Sequence, residues 1–313
     1  MTTAVAAPVR HEAATTRVRL ALLAMVICFG GSMPAYKLAS ASFGPATTNL
    51  GRFLLSASIL AFIARDQVRL LTRRQFQRLL ATGMFGIGLM AVFLAAGVDK
   101  GNATIGSIVV GLEPIGVALA GVLFARDRPT PRSLLALVVG FLGAFVASGI
   151  LTETTGEAPI VPMLLLFGTV VTFSIYTAMV RRAAQGINPL AVAATTQIGA
   201  LFFVVPACLF DVADGGMFRG DSPTGKAIGA VVFLGLGSAL GYLLLCSVLA
   251  SQPSSRVAVS MFLTPMIGVV LSWLVVGEHL HLRTAVGGLL VLLAIYISEW
   301  APGRDRPAAT VDG

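Results

Sequence analysis

The sequence predicts an all-α integral membrane protein, with ten transmembrane helices arranged as two inverted five-helix repeats. Three observations lead to this fold class: 56% of the 313 residues are hydrophobic, only 12% are charged, and long uncharged runs recur along the chain. Soluble domains carry roughly 25% charged residues, and a membrane-spanning helix needs about 20 predominantly apolar residues. The composition therefore excludes a soluble globular protein.

Ten segments have the length and apolar character of membrane spans. Seven are uncharged runs, at residues 20–36, 79–98, 133–152, 158–180, 183–210, 227–255 and 257–277. Three more carry one charge each, at residues 45–64 with Arg52, 103–124 with Glu113 and 284–301 with Glu299. Residues 1–17 lack the apolar core of a secretory signal, so we expect a disordered tail there. Residues 302–313 form a second predicted tail.

Matched prolines and acidic residues indicate that the chain is duplicated. Pro114 precedes Asp127 by the same 13 positions that separate Pro265 from Glu278. The predicted repeats, residues 18–151 and 160–301, hold five spans each, and this odd number inverts the second repeat in the membrane. Inverted repeats in transporters place a substrate site near the bilayer midplane, where the two halves meet. Chance similarity between apolar helices is the alternative explanation.

Positive charge is concentrated on one predicted face of the membrane. With the amino terminus inside, sixteen of the 22 Lys and Arg residues fall in inner segments and four in outer loops. Positively charged loops stay on the cytoplasmic side, so both termini are predicted to face the cytoplasm. The expected location is the cytoplasmic (inner) membrane. The net positive charge thus reflects membrane topology and gives no reason to expect nucleic-acid binding.

Glu113 is the sharpest candidate for a functional residue. It lies about ten residues into its predicted span, which places it near the middle of the bilayer. A charged side chain at that depth costs roughly 2.5–3.5 kcal/mol. We expect Glu113 either to bind the ammonium group of a substrate or to carry a coupled proton. The alternative is a protonated or arginine-paired carboxyl that only fixes helix packing.

Other polar side chains inside the spans form a group of candidates for solute binding or coupling. They are Ser32, Tyr36, Arg52, Thr172, Tyr176, Gln197 and Tyr242. Ser32 and Tyr36 are four residues apart and share a helix face, as do Thr172 and Tyr176. Such a lining suits an amino-acid-like or polar aromatic solute. Each side chain could instead form an interhelical hydrogen bond, and Arg52 could reach the interface or pair with Glu113.

Two prolines and one lysine have predicted mechanical or surface roles. Pro114 and Pro265 interrupt their spans and are candidate hinges or cavity walls, although simple bending explains them nearly as well. Lys37 ends the first span and is expected to be an interfacial anchor that could also attract anionic groups at the cavity mouth.

No metal or cofactor site is expected. Glu278, His279 and His281 are close in sequence, but no further ligands cluster nearby, so a loop interface is the better interpretation. The three cysteines lie in predicted spans without metal-ligand spacing, and we expect them to be packing residues.

Several of these segments resemble the EamA group of the drug/metabolite transporter superfamily. The run from Phe29 to Lys37 is similar to the first-helix signature of that group, although Phe29 replaces the usual Trp. The segments around Arg52-Phe53-Leu54 and Thr264-Pro265 resemble its second and ninth helices. Ala125-Arg126-Asp127 departs from the usual Leu-Gly-Glu. The resemblance implies ten helices, movement of small metabolites and no ATP-hydrolysing domain.

The predicted function is secondary transport of a small metabolite by alternating access, with export of an amino acid or related compound as the leading prediction. The resemblance implies a central site lined by the first, third, fourth, sixth, eighth and ninth helices. Proton coupling and a homodimer are further hypotheses, and import or exchange of another solute class is an alternative function. A membrane-embedded enzyme acting on a lipid or polyprenyl substrate is the rival. We expect no enzyme, since no grouped acids or histidines lie at one membrane face.

Overall fold

The computed structural model describes residues 8–100, 111–148, 160–213, 215–219, 223–276 and 282–299. Within these residues the regular structure is helical, apart from one isolated bridge between Phe43 and Phe218. Glu278, His279 and His281 lie outside the described residues, as do both ends of the chain.

Seven α-helices and one π-helical segment lie in the described residues before position 126. The α-helices are α1 (Pro8–Gly30), α2 (Ser32–Ala39), α3 (Pro45–Ile63), α4 (Arg65–Arg69), α5 (Arg73–Gly83), α6 (Leu89–Lys100) and α7 (Glu113–Ala125). The π-helical segment, Met84–Gly88, joins α5 to α6. Helix α1 begins inside the segment 1–17 that the composition predicts as a disordered tail. Arg, Ala and Glu are good helix formers, which explains this start.

The rest of the described chain forms seven further helices. These are α8 (Pro131–Ser148), α9 (Ile160–Ala184), α10 (Pro189–Ala213), α11 (Gly225–Ser251), α12 (Ser254–Met261), α13 (Leu263–Val276) and α14 (Leu282–Glu299). Pro189 opens its helix because proline at the first turn removes no internal hydrogen bond.

Seven helical stretches within the described residues are long and apolar enough to cross a membrane. They are Thr16–Ala39, Pro45–Ile63, Arg73–Gly97, Ile160–Ala184, Pro189–Ala213, Gly225–Ser251 and Ser254–Val275. Three shorter apolar helices, Glu113–Ala125, Pro131–Val146 and Ala285–Ser298, lie at the positions of the other predicted spans. The protein is therefore a multi-pass membrane protein. The count of ten stays a prediction, since residues 101–110 and 149–159 lie outside the described segments.

Helix pairing has the same pattern in both halves. Helix α1 packs against α11 and α13, while α9 packs against α6 and α7, the helices at the matching positions of the other half. Helix α10 lies along α3, and α14 lies along α8. The helices of each predicted repeat therefore find many of their partners in the other repeat, which creates a central region between them.

The three prolines at broken helices each follow the break closely. Helix α2 starts after a turn at Gly31 and contains Pro34, α7 starts after Leu112 with Pro114 in its first turn, and α13 starts after Phe262 with Pro265. Proline in a first turn has no intrahelical donor to lose. The breaks therefore lie two or three residues before the prolines.

Candidate functional site

Arg52 is held in the interior of the bundle by neutral partners. Its side chain is only 6% exposed, so it does not reach the interface, as one alternative from the sequence supposed. Its Nη1 donates to the Tyr36 hydroxyl at 2.8 Å, and its Nε donates to Ser238 Oγ. The guanidinium carbon also lies 5.1 Å from the centre of the Phe53 ring, within cation–π range. These two hydrogen bonds use two of its five N–H donors.

A short chain of hydrogen bonds fixes Tyr36 in turn. The Tyr36 hydroxyl donates to Asn49 Oδ1, and Asn49 Nδ2 donates to the Ala91 carbonyl oxygen at 3.2 Å. This network joins α2, α3, α6 and, through Ser238, α11. Arg52 is therefore positioned by helices from both halves of the chain.

Tyr242 is the centre of the candidate site. Tyr36, Arg52 and Glu113 all lie close enough to Tyr242 to interact with it electrostatically. The Phe29 ring packs edge-on against Tyr242 with centroids 5.4 Å apart, and the Tyr176 ring packs edge-on at 6.0 Å. The site therefore combines an aromatic wall with one cationic and one acidic side chain.

Glu113 is the first residue of α7 and is half-buried. The structure gives it no hydrogen bond or ion pair to any described residue. Ion pairs between described residues include Arg65–Asp66, Arg69–Asp66 and Arg181–Asp127, and none of these involves Glu113. The predicted alternative of a Glu113–Arg52 pair is therefore not found. Both groups lie near Tyr242 without neutralising each other.

A second polar group lies between α3, α9, α10 and α11. Ser56 Oγ donates to Gln197 Oε1 at 2.8 Å, while the fully buried Gln197 leaves Nε2 without a partner among the described residues. The hydroxyl groups of Tyr176 and Thr196 are 3.3 Å apart, and Cys246 Sγ lies 4.0 Å from Tyr176. Gln197 and Tyr176 are thus interior side chains, as predicted from their positions in the spans.

Three predicted side chains are not brought into these groups. Ser32 Oγ donates to the Cys28 carbonyl oxygen at 3.1 Å, and Thr172 Oγ1 donates to the Gly168 carbonyl oxygen at 2.8 Å. Hydroxyls that bond their own helix in this way offer little to a ligand. Lys37 is exposed near the end of α2.

Among the members of the two polar groups that were not predicted are Asn49, Ser56 and Ser238. Asn49 and Ser56 flank Arg52 at spacings of three and four, so all three share one face of α3. That spacing was a usable signal in the sequence. Ser238 carries no such signal, because it is one small residue in the run Gly235–Gly241.

Asp127 organises a separate ionic cluster at the far end of α7. Asp127 Oδ1 lies 3.5 Å from Arg181 Nε, and Asp127 Oδ2 accepts the Ser254 backbone N–H at 2.7 Å. Arg181 Nη1 also donates to the Leu249 carbonyl oxygen at 2.6 Å. The two charged side chains are 8% and 14% exposed. This cluster ties together the ends of α7, α9, α11 and α12.

Comparison with known proteins finds transporters that match nearly the whole chain. The model of the EamA-like transporter family matches residues 17–149 and again residues 160–300. The chain is 27% identical to an uncharacterized transporter of Archaeoglobus fulgidus, over 88% of this chain and 96% of that protein. It is 24% identical to the uncharacterized transporter YvbV of Bacillus subtilis, over 94% and 95% of the two chains.

A further relative and one solved structure complete the comparison. The chain is 24% identical to a probable terminal-alkyne amino-acid exporter of Streptantibioticus cattleyicolor, over 93% of this chain and 96% of that protein. A crystal structure with 16% sequence identity superposes with a TM-score of 0.76, over 90% of this chain and 96% of the other. At that identity the likeness concerns the fold alone. The family model covers most of the sequence, and the chain belongs to the EamA-like transporter family.

Proposed function

We propose that this transporter exports an amino acid or a closely related zwitterion by alternating access. The observation that carries the proposal is the pair of charges near Tyr242, in which Arg52 has only neutral partners and Glu113 has none among the described residues. Buried charges are costly unless they are paired. A ligand that brings both a carboxylate and an ammonium group satisfies both residues at once.

The chemistry of the two side chains assigns the ligand's orientation. The guanidinium of Arg52 keeps donors that match a carboxylate, and Glu113 accepts hydrogen bonds from an ammonium group. The rings of Phe29, Tyr242 and Tyr176 then form the surface nearest the solute's side chain. The name of the Streptantibioticus cattleyicolor relative, an amino-acid exporter, supports the same substrate class.

The proposed architecture is ten spans in two inverted repeats, residues 18–151 and 160–301. The double family match and the equivalent helix pairs in the two halves support it. Both termini are proposed to face the cytoplasm, because the arginine-rich ends of α5, α9 and α12 then lie inside. Rocking of one half against the other would expose the Tyr242 site to each side in turn. The breaks next to Pro114 and Pro265 are the proposed hinges, and Lys37 lies at the proposed cavity mouth.

Substrate counterflow in proteoliposomes tests the proposed substrate class. Vesicles loaded with an unlabelled amino acid are expected to accumulate the labelled form, because the outward gradient of the unlabelled solute drives the exchange and no ion gradient is needed. Amines without a carboxylate and carboxylates without an amine are expected to exchange poorly, since each satisfies only one of the two charged residues. Equal exchange of all three classes, or exchange of none, would contradict the proposal.

A matched pair of arginine variants controls the counterflow experiment. Arg52→Gln removes the interior guanidinium and is expected to abolish the preference for carboxylate-bearing solutes. Arg65→Gln removes an exposed arginine that pairs with Asp66 and is expected to leave the preference unchanged.

A further inference from the structure

A cavity of about 350 Å³ lies between the α5–α6 rod and α9, on the periphery of the bundle. Its lining comprises Ala81, Thr82, Phe85, Gly86, Leu89, Thr172, Ile175, Tyr176 and Met179. Phe85 is 56% exposed and Ile175 is 38% exposed. In a membrane protein this outward-facing surface meets lipid, so the cavity is a groove open to the bilayer. We call it the α5–α9 groove.

The groove presents almost no polar atoms, although three of its lining residues carry hydroxyl groups. Thr82 Oγ1 donates to the Arg78 carbonyl oxygen at 2.8 Å, and Thr172 Oγ1 donates to the Gly168 carbonyl oxygen. The Tyr176 hydroxyl lies against Thr196 in the interior. Each hydroxyl is thus engaged elsewhere, which leaves an apolar wall suited to a hydrocarbon chain.

Two exposed arginines lie at the same end of the groove. The two helices are antiparallel, because Gly86 packs against Tyr176 and Gly97 against Leu166. Arg78 therefore lies one turn before Thr82, at the end where Arg182 follows Met179. Both side chains are exposed and form no ion pair with a described residue. Two positive charges therefore lie at one end of an apolar groove.

We infer that the α5–α9 groove binds an anionic phospholipid, with an acyl chain in the groove and the phosphate beside Arg78 and Arg182. Basic sites between membrane helices on the cytoplasmic side are suited to anionic headgroups. The assignment of this lipid to the cytoplasmic leaflet rests on the proposed membrane orientation of the protein. The chemistry that binds the lipid does not depend on that orientation. Tyr176 forms part of both the groove wall and the aromatic row that ends at Tyr242, so the lipid would lie one side chain away from the candidate site.

Thermal stabilisation of the purified protein tests the inference. The probe is phosphatidylglycerol titrated into phosphatidylcholine nanodiscs, since a ligand that prefers the folded state raises the apparent melting temperature. We expect saturable stabilisation with phosphatidylglycerol. The Arg78→Gln/Arg182→Gln double variant is expected to need roughly 30-fold more of it, because each basic residue near an anionic lipid contributes about a fivefold factor. Arg132→Gln, which removes another exposed arginine away from the groove, is the matched control.

Two further arms identify the lipid and the groove. Inorganic phosphate alone is expected to give no stabilisation, because it lacks the acyl chain. Ala81→Phe keeps both arginines but fills the groove from its exposed wall, and it is expected to weaken the phosphatidylglycerol effect. Stabilisation by inorganic phosphate, equal sensitivity of the Arg132→Gln control, or an unaffected double variant would overturn the inference.

Transport measurements keep this inference separate from the proposed function. If the protein catalyses amino-acid counterflow in pure phosphatidylcholine vesicles and phosphatidylglycerol does not raise its melting temperature, the lipid site is refuted and the proposed function stands. Saturable phosphatidylglycerol binding without counterflow would do the reverse.

Discussion

The two acidic residues at the ends of α7 are in opposite situations. Asp127 is bound by Arg181 and by the Ser254 N–H, and its side chain is 8% exposed. Glu113, at the other end, has no bond to a described residue although it lies near Tyr242. A carboxylate whose partners are all supplied by the protein stabilises the fold. A carboxylate near Tyr242 without a described partner is available to a group that the protein does not supply.

Arg181 and Arg52 differ in the same way, since one has a charged partner in the protein and the other has only neutral partners. Arg181 has a carboxylate and a backbone carbonyl as partners, whereas Arg52 has a tyrosine, a serine and aromatic rings. Removing one member of a closed ionic cluster leaves the other charge uncompensated. Removing a charge from an open site relieves a burial cost and abolishes ligand binding. The comparison therefore predicts opposite balances of stability and activity at the two ends of α7.

The largest effect on stability is expected for Asp127→Asn. The substitution leaves Arg181 without its carboxylate, and breaking a buried pair in this way costs about 3–5 kcal/mol. The free energy of unfolding, measured by denaturant titration in detergent, checks it. Asp66→Asn is the matched control, because its salt bridges join side chains that are 62–79% exposed and contribute about 0–1 kcal/mol. Equal losses for the two variants would contradict the assignment of Asp127 to a closed cluster.

A large loss of transport without loss of stability is expected for Glu113→Gln. No protein partner is lost, so the melting temperature stays the same or rises as the cost of burying a carboxyl falls. The exchange rate is expected to fall roughly 30-fold or more, the effect of removing one partner from a buried charge pair. Exchange measured across a pH series adds a test of coupling. A folded variant with an unchanged rate and unchanged pH dependence would refute both roles of Glu113.

A smaller, more specific effect is expected for Ser238→Ala. Ser238 does not need to touch the solute, since it acts by holding Arg52 Nε. The half-saturating solute concentration is expected to rise about tenfold while the maximal exchange rate is retained, since a hydrogen bond to a charged group contributes about 1.5–3 kcal/mol. Ser238→Thr keeps the hydroxyl and is expected to retain the affinity. A general loss of folded protein in both variants would instead indicate a packing role.

The smallest effect is a gain in stability for Arg126→Gly. Arg126 ends α7 with φ 58°, the left-handed conformation, directly before Asp127. Glycine adopts this conformation without the Cβ clash, so the free energy of unfolding is expected to rise by about 1 kcal/mol. Arg128→Gly, at a position with ordinary φ, is expected to be neutral or destabilising. A loss at both positions would show that the Arg126 side chain itself stabilises the ionic cluster.

The membrane character of the chain was predictable because span-length apolar runs report it directly. The interior location of Tyr176, Gln197 and Tyr242 followed from their places within those runs. The hydrogen-bond partners of the interior polar side chains could not be predicted; Arg52 and Ser238, for example, are 186 residues apart and no local pattern links them. The Asp127–Arg181 cluster was missed for the same reason. Thr172 was predicted to line the site, but its hydroxyl bonds its own helix, a choice that helix periodicity does not reveal.

The π-helical segment Met84–Gly88 makes the packing of the α5–α6 rod sensitive to its exact number of residues. An α-helix turns by about 100° per residue, and a π turn accommodates one residue more than an α turn. Phe85, within the segment, lines the groove, while the Ala91 carbonyl oxygen beyond the segment accepts a hydrogen bond from Asn49 Nδ2. Deleting one residue here would let the rod close into a regular helix and would rotate one face away from its partners. Substitutions in this segment are therefore expected to be tolerated far better than single-residue deletions.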